Sequence, residues 1–151
     1  MKKLAIASLL ALAAFSASAV EVGVNGSYDM GGSNDRPGAG FTVGQKFDKF
    51  GVTAGFDRYT KGSDTNKYTL VGSYDVATVA TATIAVKAGV AYVDNSGATL
   101  KDGYAGLVGA GVSYPLTTKL AATVDYRYQA GQGKINNQNG STVAAGVKYS
   151  F

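Results

Sequence analysis

The last nine residues, Val143 to Phe151, alternate without a break. Val143, Ala145, Val147, Tyr149 and Phe151 occupy one phase of a period-two pattern, and Ala144, Gly146, Lys148 and Ser150 occupy the other. Successive side chains of a β-strand point to opposite faces, so this segment has one apolar face and one small or polar face. The sequence then stops on the apolar Phe151. In water such a strand exposes a sticky edge and a greasy stripe together. In a barrel closed within lipid the edge is paired and the stripe meets hydrocarbon.

Seven further segments repeat the pattern, which predicts strands over about 20–28, 39–47, 51–59, 68–76, 82–93, 104–114 and 119–128, with 141–151 as the eighth. The apolar phase runs through Val20, Val22 and Val24 in the first, Phe41 and Val43 in the second, and Val52, Ala54 and Phe56 in the third. It continues through Tyr68 and Leu70, Val86 and Val90, Val108 and Val112, and Val124 and Tyr126. Alternation sustained over many short segments is the mark of a transmembrane β-barrel, whose lipid-facing and lumen-facing residues take turns. Ala-Gly-Val-x-Tyr recurs at 88–92, 110–114 and 145–149, placing Ala, Val and Tyr on one face and glycines 89, 111 and 146 on the other. The repeat reads as strand grammar, in which glycine leaves room on the second face. Connections alternate in length: 48–51, 77–81 and 115–118 are short, whereas 29–38, 60–67, 94–103 and 129–140 are longer and polar.

The alternation, the unequal connections and the terminal Phe151 together resemble the small eight-stranded bacterial outer-membrane proteins of the OmpA-transmembrane-domain or OmpX type. The resemblance covers the chain from Val20 onward. It implies an all-β fold, an eight-stranded antiparallel up-and-down transmembrane β-barrel with short periplasmic turns and longer outside loops. It also implies residence in the outer membrane as a monomer, contact with lipid and lipopolysaccharide, and escort by periplasmic chaperones. Val147, Tyr149 and Phe151 would then be the signal read by the barrel assembly machinery.

Residues 1–19 are of a different kind. Lys2 and Lys3 precede an apolar run from Leu4 to Phe15 broken by Ser8, and Ala17-Ser18-Ala19 is a small-x-small cleavage site. That order is a secretory signal peptide, leaving one barrel domain over 20–151. No other apolar run approaches the ~20 residues of a membrane helix, so any span is made of strands. Cysteine is absent, so no disulfides staple the domain. Without Lys2 and Lys3 the Lys+Arg count falls from 14 to 12 against 10 Asp+Glu. A net charge of that size is no nucleic-acid footprint.

The second face carries Glu21, Asn25, Lys46, Asp57, Asp75, Lys87, Asp125, Arg127 and Lys148, of which four are acidic and four basic. Buried charges are tolerated when paired, so a balanced set on one face predicts a polar interior whose members neutralise one another. Eight strands enclose a lumen about wide enough for side chains to fill, which predicts a plugged barrel. Tyrosine favours membrane interfaces, and the aromatics fall near strand ends. Phe47, Phe50, Tyr74, Tyr114, Tyr149 and Phe151 should form one girdle; Tyr28, Phe41, Tyr68, Tyr92, Tyr104, Tyr126 and Tyr128 should form the other.

Histidine is absent as well as cysteine, which removes the usual general base and the usual nitrogen and sulfur metal ligands. The acyltransferase, deacylase and omptin-type barrels rely on a catalytic histidine, and this chain departs from them there. The expectation is no enzyme, no cofactor and no metal. Arg36, Arg58, Lys61, Lys67, Lys101 and Lys134 sit in predicted loops or rim, where they would either pair with lipopolysaccharide phosphates or serve as solvated charges. Three functions stay open: a structural or surface-interaction protein of the outer membrane, a small-solute porin-like channel, and a soluble periplasmic lipocalin-like barrel with its faces reversed.

Overall fold

The computed structural model describes residues 19–30, 35–60, 64–95, 102–131 and 139–151. The expected leader and the loop cations Lys61, Lys101 and Lys134 lie outside these residues. Eight strands follow in order: β1 (Val20–Met30), β2 (Arg36–Phe47), β3 (Phe50–Tyr59), β4 (Thr65–Val79), β5 (Ala82–Asn95), β6 (Gly103–Pro115), β7 (Leu120–Gly131) and β8 (Gly140–Ser150). Each pairs antiparallel with its sequence neighbour, and β8 returns to β1, closing the barrel. Closure is tied at the seam by Phe151 N, which donates to Val20 O at 3.0 Å.

Several strands run past their expected ends. β1 continues to Met30 and β2 starts at Arg36, because Asp29 and Arg36 still pair across the hairpin. β4 extends from Thr65 to Val79, with a register shift between Asp75 and Ala77 that absorbs one residue. At the opposite end, β2–β3 and β4–β5 turn over two residues each, Asp48-Lys49 and Ala80-Thr81. Asp48 and Ala80 both take the left-handed conformation, at φ 54° and 55°. Aspartate tolerates that region; alanine does so at a cost.

Register fixes the tilt. A row of facing residues starts at Tyr114 and runs through Ala122, Val147, Val24, Phe41, Phe56, Tyr68 and Tyr92 back to β6 at Tyr104. One circuit therefore climbs from 114 to 104, a stagger of ten residues. With standard strand spacings, eight strands and that stagger give a tilt of about 40° to the barrel axis. Strands of 10 to 15 residues then cross roughly 25 to 37 Å, enough for an apolar band about 25 Å tall.

The two phases separate cleanly. Val24, Val86, Val90, Val108 and Val124 are about half exposed on the outer wall, whereas Asp57 and Lys67 are buried within. Val71, Ala91, Ala105 and Leu107 form a small apolar core inside the barrel, on the β4–β6 wall. Apolar side chains pointing outward and charges pointing inward is the reverse of a soluble lipocalin-like barrel, so that alternative falls.

The upper aromatics depart from a level girdle. Phe41, Phe56, Tyr68, Tyr92 and Tyr104 stack in sequence with ring centroids 5.6, 5.2, 6.5 and 5.0 Å apart. They are consecutive members of the climbing row, so at this tilt the ladder rises by about 12 Å across four inter-strand steps. It is a diagonal stripe that reaches the long-loop rim only at Tyr104. At the short-turn end Tyr149 and Phe151 meet edge to face, 5.0 Å apart.

Candidate functional site

The chemistry-bearing side chains are in the lumen. Of the eight charged residues that alternation assigns to the inner face, each meets another of the same set. Lys148 Nζ donates to Glu21 Oε1 at 2.9 Å and Lys46 Nζ to Asp75 Oδ2 at 2.6 Å. Lys87 donates to Asp125, and Arg127 Nη2 stands 4.0 Å from Asp57 Oδ2. Several contacts reach across an intervening strand at a glycine. Gly40 faces both Asn25 and Asp57, and Asn25 Nδ2 donates to Asp57 Oδ1 at 2.8 Å over it. At Gly111, a Cβ would collide with the Asp125 carboxylate and come within 3.0 Å of Lys87 Nζ. Glycine in the middle strand is thus what lets side chains of next-nearest strands meet.

Three inner charges were not in the expected set. Asp29 accepts from Thr142 Oγ1 at 2.8 Å and lies 3.4 Å from Arg36 Nη2 and 3.6 Å from Lys67 Nζ. Arg36 Nη1 also donates to Thr65 Oγ1 at 2.6 Å, and Thr65 passes the chain on to Asn95 Oδ1 at 2.9 Å. Arg36 and Lys67 were expected among the rim cations that face lipopolysaccharide. Both instead turn inward, with side chains only 10% and 4% exposed. The cause is strand extension: Arg36 and Lys67 stand in the inner phase of β2 and β4, opposite Asp29 and Asp57 in the register. Arg58, by contrast, is outward and exposed, paired with Asp64 at 2.8 Å.

Tyr59 anchors this upper cluster. It is wholly buried, with the Arg36 guanidinium carbon 5.5 Å and Lys67 Nζ 4.9 Å from its ring centre. The cations are held over the electron-rich ring as well as by Asp29. Gly38 makes the ring's place, since a Cβ there would stand 2.7 Å from Tyr59 Cδ1. Thr65 and Val93 are also fully buried, so the long-loop half of the lumen is packed. The short-turn half holds a cavity of about 150 Å³ that reaches the rim at Glu21, Lys46 and Asp75 and ends at Thr69 and Arg127.

No group of three or more histidine, cysteine, aspartate or glutamate side chains suited to a metal occurs among the described residues. The carboxylates stand apart, each beside a cation or amide, an arrangement suited to holding charge inside an apolar wall.

Solved structures share this architecture. The N-terminal β-barrel domain of Pseudomonas aeruginosa OprF superposes with a TM-score of 0.76 at 19% identity, covering 89% of this chain and 98% of that one. The chain has the fold of a small outer-membrane β-barrel. Neisserial surface protein A matches this barrel with a TM-score of 0.60 at 20% identity, over 90% of this chain and 98% of its own. A de novo designed transmembrane β-barrel matches with a TM-score of 0.65 at 18% identity, over 91% and 98%. That a designed chain fits the barrel better than one of these natural ones shows how little activity the fold alone carries. No protein-family model and no curated protein sequence matches the chain.

Proposed function

We propose that the protein is an integral, monomeric outer-membrane barrel with a plugged interior and a structural or surface-interaction role, and that it is no enzyme. The observation that supports this most is the division of faces. Val, Leu, Phe and Tyr side chains cover the outside, while Glu21, Asp29, Asp57, Asp75 and Asp125 each have a cation within 4.0 Å inside. An outer face of that kind is stable against lipid and aggregates in water. Its terminal strand, with Val147, Tyr149 and Phe151 on the outer phase, is what the barrel assembly machinery would read after delivery by periplasmic chaperones.

The outside partner we favour is lipopolysaccharide, met by Arg58 at the rim together with Lys61, Lys101 and Lys134 of the loops. Arg36 and Lys67 have no part in it, because their charges are used inside. Heat-modifiable migration on unboiled gels together with recovery in the outer-membrane fraction tests the membrane assignment; a protein recovered in the soluble periplasm would overturn it. Reversing Arg58, Lys61, Lys101 and Lys134 together should weaken lipopolysaccharide binding uniformly, and unchanged binding would remove that partner. A large, stable conductance of the unmodified barrel in planar bilayers would replace the plug with the porin-like reading. Tyr59, Thr65 and Val93, wholly buried across the upper lumen, argue against it.

A further inference from the structure

We propose that the lumen cavity is a blind receptor for one small oxyanion, a carboxylate or phosphate, with Arg127 as the residue that binds it. Three lysines on the cavity wall are each matched by a carboxylate on the same wall: Lys148 by Glu21, Lys46 by Asp75 and Lys87 by Asp125. Arg127 is the fourth cation of the lining and has no such match. Its carboxylate, Asp57, does not line the cavity, comes no nearer than 4.0 Å, and spends Oδ1 on Asn25. Arg127 Nε is buried without a hydrogen-bond partner among the described residues. The closed end of the cavity is therefore positive, under a ceiling of packed side chains, while the rest of its wall is neutral.

A guanidinium that is desolvated and incompletely bonded attracts an anion more strongly than it would in water. Its planar donors match two oxygens of a carboxylate or phosphate. Asn25 and Thr69 stand at the same end and add neutral donors. A volume of about 150 Å³ holds on the order of ten water-sized spheres, enough for acetate or phosphate with part of its hydration shell. The mouth lies at the short-turn end, so the ligand would enter from the side opposite the long loops. The site is independent of whatever meets the outer rim, and its failure would leave the lipopolysaccharide reading untouched.

The test is a titration of the purified barrel in detergent, in buffer free of other oxyanions, with sodium acetate and sodium phosphate separately, following the backbone amide resonances of Asn25 and Thr69 on the cavity wall, which every variant retains. Saturation by at least one anion is expected, weakened about tenfold or more in Arg127→Gln. Lys119→Gln, which removes a cation from the β6–β7 turn, should leave the affinity unchanged. No saturation by either anion up to about 100 mM overturns the proposal, as affinity there is negligible. Binding that survives Arg127→Gln, or falls equally in Lys119→Gln, overturns it too. Should the glutamine variant lose heat-modifiable migration, Arg127→Lys serves instead. It keeps the charge but not the planar fork, so several-fold weaker binding supports the site and unaltered affinity refutes it.

Discussion

Replacing Asp29 by alanine removes the one carboxylate that Arg36 and Lys67 share, at 3.4 and 3.6 Å. At an effective dielectric constant of about 20, each attraction amounts to about 5 kcal/mol before desolvation is set against it. Both cations are nine-tenths or more buried. Breaking a buried pair from one side costs about 3–5 kcal/mol, because a charge is stranded. Asp29→Ala should therefore lower the unfolding free energy in lipid vesicles by that amount. The readout is urea unfolding followed by tyrosine fluorescence, since the chain has no tryptophan. Asp64→Ala is the counterpart. Its ion pair with Arg58 is shorter, at 2.8 Å, but the two side chains are 47% and 56% exposed. An exposed pair is worth no more than about 1 kcal/mol, so burial decides the outcome over distance. Adding Lys67→Met to Asp29→Ala removes one stranded charge and should recover part of the loss, a coupling of about 1 kcal/mol or more. Equal costs for Asp29→Ala and Asp64→Ala would refute the reasoning, because they would mean that water solvates the upper cluster.

Three more outcomes follow from separate parts of the fold. Ala80→Gly relieves a left-handed alanine in the β4–β5 turn and should stabilise the barrel by up to about 1 kcal/mol, read as a raised urea midpoint. Val124→Arg places a charge on the outer wall at mid-depth, where Val124 is 55% exposed. It should cost about 2–4 kcal/mol in vesicles, and a cost near zero would count against lipid contact there. Phe151→Ala should lower the yield of assembled barrel in cells while the purified chain still folds into vesicles. An equal defect in both settings would mean that Phe151 acts through the β1 seam, where its amide bonds Val20 O, and not as an assembly signal.

Much of the interior was legible from period two alone. Glu21, Lys46, Asp57, Asp75, Lys87, Asp125, Arg127 and Lys148 share one phase, and a two-faced strand has only two places to put them. The same rule, carried a few residues further, would have found the rest. Asp29 continues the phase of Glu21 and Asn25, and Lys67 precedes the outward Tyr68. They were missed because Gly, Ser and Asn after Met30, and Gly, Ser, Asp and Asn before Lys67, read as loop, and turn-forming composition is a weaker guide to a strand's end than cross-strand pairing. Tyr59 was missed for another reason. A tyrosine near a strand end reads as an interface residue, and only the bare surface of Gly38 beside it makes room for the ring inside.

Along the chain, what the residues determine by themselves is local and two-sided: which side chains share a face, where the polypeptide turns, and that charge on one face is balanced. Those follow from backbone geometry that every strand obeys. Partner choice, depth and fill were decided only on closure. A stagger of ten residues tilts the strands, turns a row of aromatics into a climbing stripe, and sets Lys46 against Asp75 and Lys87 against Asp125 across glycines of the strand between. Ion pairing depends on separation in three dimensions, and residues 29 and 38 positions apart in sequence come together only when neighbouring strands lock into register.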